Sequence, residues 1–197
     1  MNKPQPPKAK KIPQTLEIHN HIRIDDYFWL NDRENPEVIA YLNAENEYYQ
    51  AMTEPTKVLQ DDLYTEMKSR IKEDDASVPY LYNGYIYSTR FESGKDYPIY
   101  TRKKESVDAK EELLFDCNVL AEGHSYFQLS GMSISEDNQW VSFGIDTVSR
   151  RQYTIQIKNL ITGEILPYKI ENTTAGGTWS SCGKYLFYCR KDPKTLR

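Results

Sequence analysis

Cysteine and histidine are scarce in this chain, at three residues each. Three cysteines do not make a disulfide framework. Cys182 and Cys189 lie seven apart in one expected strand, a spacing that turns them to opposite faces and keeps them from bonding there. A reducing, cytoplasmic setting is the simpler expectation. No apolar run approaches the roughly 20 residues that a bilayer span needs, so no membrane partner is expected. The opening MNKPQPPKAKKIP is charged and proline-rich without an apolar centre, and does not read as a secretory leader. Without export, the sequon at Asn172-Thr173-Thr174 would be idle. A net charge of −4 and a pI near 5.5 argue against a nucleic-acid partner, which calls for a basic face. Lys3, Lys8, Lys10 and Lys11 read as a solvated tail within a flexible lead, residues 1–13.

What is abundant is tyrosine. Sixteen tyrosines bring aromatic content to 13%, which together with Val, Ile and Thr favours pleated surfaces over helical bundles. A repeat gives the architecture. GMSISEDNQWVSFGIDT begins at Gly131 and GGTWSSCGKYLFYCRKD at Gly176, placing Ser135 and Ser180 45 positions apart. A four-stranded propeller blade repeats at about 40–45 residues, and blades close in rings of about 4–8. The expected fold is mainly β: a partial β-propeller of about two and a half four-stranded blades, preceded by a helical N-terminal extension. So short an array cannot close a ring, and the sequence stops inside a blade, where a domain boundary does not belong. It therefore reads as incomplete.

The expected division is an N-terminal extension over 1–76 and an incomplete propeller over 77–197. Residues 14–30 read as extended, with alternation broken at Asn20-His21. Asn35 as cap, Pro36 at the first helical position and Glu37 at the positive dipole end predict a helix over 36–52. Its apolar stripe is Val38, Leu42, Tyr49 and Met52, joined by Tyr41 and Tyr48. A second helix, 55–73, buries Val58, Leu59, Leu63, Met67 and Ile71. From residue 78 the period changes to two. VPYLY-NG-YIYSTRF predicts a hairpin with a type I′ turn at Asn83-Gly84, pairing Tyr82 with Tyr85 and Tyr80 with Tyr87 on one face. A turn at Glu92-Ser93-Gly94-Lys95, the strand DYPIYTRKK and the strand EELLFDC complete blade one, about 78–117. Blade two, about 131–170, comprises GMSIS, QWVSFGID, RRQYTIQIKNL and EILPYKI. Blade three starts at 176–197.

The search for chemistry is negative. There is no G-x-S-x-G elbow, HExxH, CxxC or EF-hand loop. Gly177 to Gly183-Lys184 resembles a P-loop but has five intervening residues and Tyr185 where Ser or Thr belongs. His19 and His21, two apart on an extended segment, would face one way, but no third ligand is near and His124 is far along the chain. Asp25 and Asp26 would point apart on a strand, and either cap or make ion pairs near Arg23 or Arg33. Arg150-Arg151 reads as a solvated loop. Trp140 and Trp179 fall in blade strands and read, unlike a ligand cage, as packing between neighbouring sheets; Trp29 lies outside them. No catalytic, cofactor-binding or metal-ligating residue is assigned, and no cofactor is expected.

Three separated stretches then identify a family. HNHIRIDDYFWLNDRENPEVIAYLNAEN resembles the N-terminal signature of the prolyl oligopeptidase family of serine peptidases. RIKEDDASVPYLYNGYIYSTRFESGKDYPIYTRK and SRRQYTIQIKNLITGE are most similar to the oligopeptidase B (protease II) branch, and the likeness runs from about Ile12 to Arg197. The resemblance implies a seven-bladed propeller over an α/β-hydrolase domain, with residues 1–76 packing on the hydrolase domain. It implies a Ser-Asp-His triad, cleavage of short peptides after Lys or Arg, and a propeller that limits substrate size. Triad and specificity residues would lie downstream, so the chain alone is expected to be inactive, its partners the missing blades and hydrolase domain. His19, His21 and His124 are not triad candidates, because that histidine follows the serine in chain order. The alternatives are a stand-alone propeller-like binding module, or a proline-specific or dipeptidyl peptidase of the same family.

Overall fold

The computed structural model describes residues 4–192. The chain divides into two compact units, residues 1–71 and 72–197.

The first unit opens with a hairpin. Strands β1 (Gln14–Ile18) and β2 (His21–Asp25) are antiparallel, with Ile18 opposite His21. His19 and Asn20 form the two-residue turn, both at positive φ (53° and 60°). The single extended segment expected over 14–30 is therefore two strands. The interruption at Asn20 was the turn itself, because asparagine and histidine tolerate the left-handed conformation that a tight hairpin demands. Helix α1 (Pro36–Thr53) starts as its sequence dictates, the Asn35 side chain accepting from the Glu37 N–H. Helix α2 (Lys57–Ser69) follows a short 3-10 turn at Glu54–Thr56. Among its described residues this unit buries Val38 alone, while Leu42, Tyr49, Val58, Leu63, Met67 and Ile71 are exposed.

The described part of the N-terminal lead is held down, contrary to a flexible solvated tail. Lys10 pairs with Glu37 at 3.0 Å, and its carbonyl accepts from the Trp29 indole. The Ile12 N–H donates to Asp26, and Lys11 lies 3.6 Å from the Asp26 carboxylate. Lys3 lies outside the described residues.

The second unit is built from two sheets. The first has the order β3 (Tyr80–Tyr82), β4 (Tyr85–Arg90), β5 (Ile99–Lys104), β6 (Glu111–Asp116). Asn83 and Gly84 both take positive φ, and Tyr82 faces Tyr85 and Tyr80 faces Tyr87, as the sequence predicts. The Tyr80 and Tyr87 rings stack with centroids 5.5 Å apart. The chain before β3 already joins this sheet. Ala76 bridges Arg90 and the Ser77 N–H donates to Thr89. After β6, a short helix α3 (Cys117–Leu120) is capped by Asp116.

The second sheet has the order β11 (Leu186–Arg190), β10 (Ile170–Trp179), β9 (Tyr153–Asn159), β8 (Trp140–Asp146), β7 (Gln128–Ile134). EILPYKI is not the strand expected: Ile165 makes only an isolated bridge to Lys158, and regular pairing starts at Ile170. Strand β10 then serves twice. Its first part pairs β9 through Ile170 and Thr173, and its last part pairs β11 through Gly177–Trp179. Between them, Ala175 presses on the backbone of β7 and β8. A Cβ on Gly131 or Gly144 would overlap the Ala175 carbonyl, so only glycine admits this crossing. The result is about two and a half propeller blades, with β10 leaving the outer edge of one to open the next.

The 45-residue repeat is a repeated turn. The Ser135 N–H donates to Trp140, and the Ser135 hydroxyl accepts from the Trp140 N–H at 3.0 Å. Ser180 does the same with Tyr185, at 3.1 Å from hydroxyl to N–H. One hydroxyl thus closes each hairpin by satisfying a backbone donor that the turn leaves unpaired.

Candidate functional site

The two sheets meet face to face, and the meeting surface holds most of the buried apolar side chains of the described residues. Leu114, Phe115 and Cys117 from the first sheet and its following helix pack with Phe127, Leu129, Val141 and Phe143. The Phe115 and Phe143 rings sit 4.5 Å apart. Val141 and Phe143 share one face of β8 and are fully buried there, while Ser142 between them is equally buried on the other face, because β8 is covered on both sides.

Polar groups lock the rim of this surface. The Asn83 side chain donates to the Glu136 carbonyl at 2.8 Å, and the Asn138 side chain donates to the Asn83 carbonyl at 3.1 Å. The hairpin turns of the two sheets therefore hold each other. Arg102 is 1% exposed. Its Nε donates to Glu112 at 2.7 Å, its guanidinium lies 4.0 Å from the Tyr85 ring centroid, and Nη1 reaches the Asn138 carbonyl at 3.4 Å. Lys158 crosses from β9 to donate to the Leu114 carbonyl at 2.6 Å. Burial pulls its ammonium below the usual lysine range.

Two cavities flank the interface. One, of about 280 Å³, is lined by Tyr80, Tyr82, Tyr87, Leu114 and Met132. Burial pushes the Tyr87 phenol up, opposed by the neighbouring Arg102, so it stays neutral at neutral pH. The other, of about 360 Å³, holds Arg102, Glu112 and Lys158 among Tyr85, Leu114 and Leu160. The first offers rings and a thioether; the second offers charge beside hydrocarbon. Both arrangements suit binding.

The geometry disposes of the sequence candidates one by one. His19 sits in the β1–β2 turn and His21 in β2, so they do not share a strand as expected. Asp25 accepts from the Tyr27 N–H at 2.9 Å, the local capping that is one of the two expected roles, and Asp26 pairs with Lys11 instead of with Arg23 or Arg33. Both find partners made available by the docked lead and the turn. His124 lies after α3, its ring 6.3 Å from that of Phe127. Gly177–Gly183 is the end of β10 and its turn, not a strand-to-helix loop, and the Gly183 N–H donates to Ser180. The Trp179 indole donates to the Ser133 carbonyl at 2.9 Å, tying β10 to β7, and Trp140 is half-buried in β8. Arg151 belongs to a loop organised by Asp146, which is buried and accepts from the N–H groups of Val148, Ser149 and Arg151. Among the described residues, no group of three or more His, Cys, Asp or Glu is placed to hold a metal. No helix among them is long and apolar enough to cross a membrane.

Two nucleophile-like groups are structural. The Ser135 hydroxyl donates to Asp137 at 2.6 Å, and that bond, with one from the Gln139 N–H, holds the carboxyl below its usual range. A carboxylate so stabilised is a poor base, and its role is to fix the turn. Burial first, and then the charge of Asp116, pushes the Cys117 thiol up to about 12, which removes its thiolate at neutral pH. Sequence reasoning missed Arg102, Lys158, Asn83 and Asn138 as interface residues. In the sequence, Arg102 stands in Arg-Lys-Lys, which reads as a solvated charge run, and only the second sheet buries it.

Comparison with known proteins places this architecture. The family described as prolyl oligopeptidase, N-terminal beta-propeller domain, matches residues 6–197. Dipeptidyl aminopeptidase BI from Pseudoxanthomonas mexicana is 44% identical over 97% of the chain, and protease 2 from Moraxella lacunata is 36% identical over 94%. The chain spans 29% and 28% of their lengths. Among solved structures, oligopeptidase B from Leishmania major superposes with a TM-score of 0.85 at 34% identity, over 98% of this chain and 30% of that one. Oligopeptidase B from Trypanosoma brucei gives 0.82 at 26%, over 95% and 29%. The fold described above is thus that of an oligopeptidase B-like N-terminal propeller region, and the chain belongs to the prolyl oligopeptidase family of peptidases.

Proposed function

We propose that this chain is the N-terminal part of a serine oligopeptidase that cleaves short peptides after Lys or Arg. In this reading a catalytic α/β-hydrolase domain follows in the complete protein and carries the serine triad and the groups that read a basic side chain. Residues 1–76 pack on that domain, and the propeller begun by residues 77–197 limits the length of peptide admitted. The setting is cytoplasmic. The likeness to oligopeptidase B from Leishmania major, across 98% of the chain, carries the reading. The exposed apolar stripes of α1 and α2 agree with it, since such faces are stable only when another surface covers them.

Peptide profiling of the complete enzyme tests it. Short peptides with blocked amino ends should be cut after Lys or Arg, with turnover falling as the peptides lengthen. The 197-residue chain alone should cut none. Cleavage after Pro with Lys and Arg ignored would assign the proline-specific alternative. A second reading rests on the 44% identity to a dipeptidyl aminopeptidase. It expects release of dipeptides from free amino ends and no action on blocked ones. A binding module without a catalytic domain would show no serine-reagent-sensitive turnover in the complete protein.

A further inference from the structure

Beyond the peptidase reading and independent of it, we propose that the cleft between β6 and β9 binds a small monocarboxylate carrying a short apolar tail.

The charges in the cleft do not balance. It contains Arg102, Lys158 and Glu112. Glu112 is engaged by Arg102, Nε to Oε2 at 2.7 Å. The Lys158 ammonium is half-buried and donates to one carbonyl, that of Leu114. No carboxylate of the described residues lies within salt-bridge distance of it. An ammonium held in partly desolvated surroundings without a counter-charge attracts an anion more strongly than a surface lysine does, because less water screens it. The ring of Phe115, 4.9 Å from Nζ, supports the charge from one side only.

The walls define the rest of the ligand. Leu113, Leu114, Leu160 and Ile161 line the same space, whose volume of about 360 Å³ admits more than an inorganic ion. Leu113 and Ile161 are exposed, at 58% and 72%, so apolar surface is available to a tail. Glu112 at the wall disfavours a dianion such as phosphate and leaves room for a single negative charge. Charge beside hydrocarbon in one cleft matches an amphiphilic carboxylate, either a short fatty acid or the carboxyl end of a peptide.

Calorimetric titration of the complete protein with hexanoate, and with acetyl-Gly-Leu bearing a free carboxyl, tests the site. Hexanamide and the amidated peptide are the neutral controls. Acids should bind at least about tenfold tighter than their amides. Lys158→Met should lose that preference and Lys158→Arg keep it. Ile161→Glu, a change at the exposed rim that leaves the core intact, should weaken both acids by a similar factor. Binding should persist after a serine-directed reagent has inactivated the enzyme, which separates this site from any catalytic centre. The tighter of the two acids identifies the ligand source. Absence of acid binding, equal affinity for acid and amide, undiminished binding in Ile161→Glu, or loss of binding on inactivation would each overturn the proposal.

Discussion

The two units bury their apolar residues to different degrees, and the contrast shows what each requires. In the sheet unit, Val141, Phe143 and Ile155 are fully excluded from water. In the helical unit, Leu59, Leu63 and Met67, each four apart along α2, remain 57%, 45% and 61% exposed. Two neighbouring blades already give each other a partner face. Two consecutive helices with their stripes turned outward do not. The sheet region therefore holds its apolar side chains in packing between neighbouring blades, and the helical region leaves its apolar stripe open to water.

The largest effect should separate the two regions directly. Phe143→Ala removes a fully buried ring packed at a tilt against Phe115 and should cost about 3–5 kcal/mol. Leu63→Ala, on the exposed face of α2, should fall within about 0.5 kcal/mol in the same chain. Urea unfolding followed by tryptophan fluorescence reads both. Equal costs would mean that the helical stripe is covered in solution. Gly144→Val should come next, at about 1–3 kcal/mol, because a side chain there overlaps the Ala175 carbonyl where β10 crosses the sheet. Circular dichroism melting should show a lowered Tm, whereas Gly163→Ala, at an open turn, should show a much smaller drop.

Within the sheet unit, the two repeated turns sharpen the comparison further. Ser135→Ala and Ser180→Ala each remove a hydroxyl that holds a backbone N–H, and each should cost about 1 kcal/mol. Their pH responses should differ. Asp137 has a depressed folded pKa, caused first by the Ser135 hydroxyl. Its contribution is present above the unfolded value, about 3.9, and is lost as pH falls through the folded value. The second turn has Cys182 at that place, its thiol lowered first by the Ser180 hydroxyl. That contribution is present only above the unfolded thiol range and is absent in acid. Amide exchange should therefore show the Trp140 N–H losing protection in acid while the Tyr185 N–H is unaffected. The smallest test perturbs nothing. Thiol labelling of the native chain should modify exposed Cys182 and Cys189 readily and buried Cys117 only on unfolding.

Local features were legible in the sequence wherever one residue's chemistry decides them. Asn83-Gly84 supplies two positive-φ residues, and the tyrosine pairing follows from a two-residue turn. Asn35-Pro36-Glu37 starts a helix. The β1–β2 turn escaped notice because His19 is a rarer left-handed residue than glycine, and alternation continues on both sides of it. EILPYKI escaped because its apolar content suits a strand, yet Pro167 cannot donate to a ladder, and beyond the isolated bridge at Ile165 regular pairing begins only at Ile170.

The sequence by itself determined a mainly β architecture, the blade period, the hairpin register and the family, all of which rest on turn chemistry and side-chain alternation within short stretches. Only the tertiary structure decided which charges are buried and which glycines are irreplaceable. Arg102 meets Glu112 across a strand pair but is shut from water by the second sheet, with Asn138 36 positions away, and Ala175 reaches Gly131 and Gly144 only because β10 crosses between blades. Such contacts join residues far apart in the chain, and their energy depends on the surrounding desolvation, which no local pattern records.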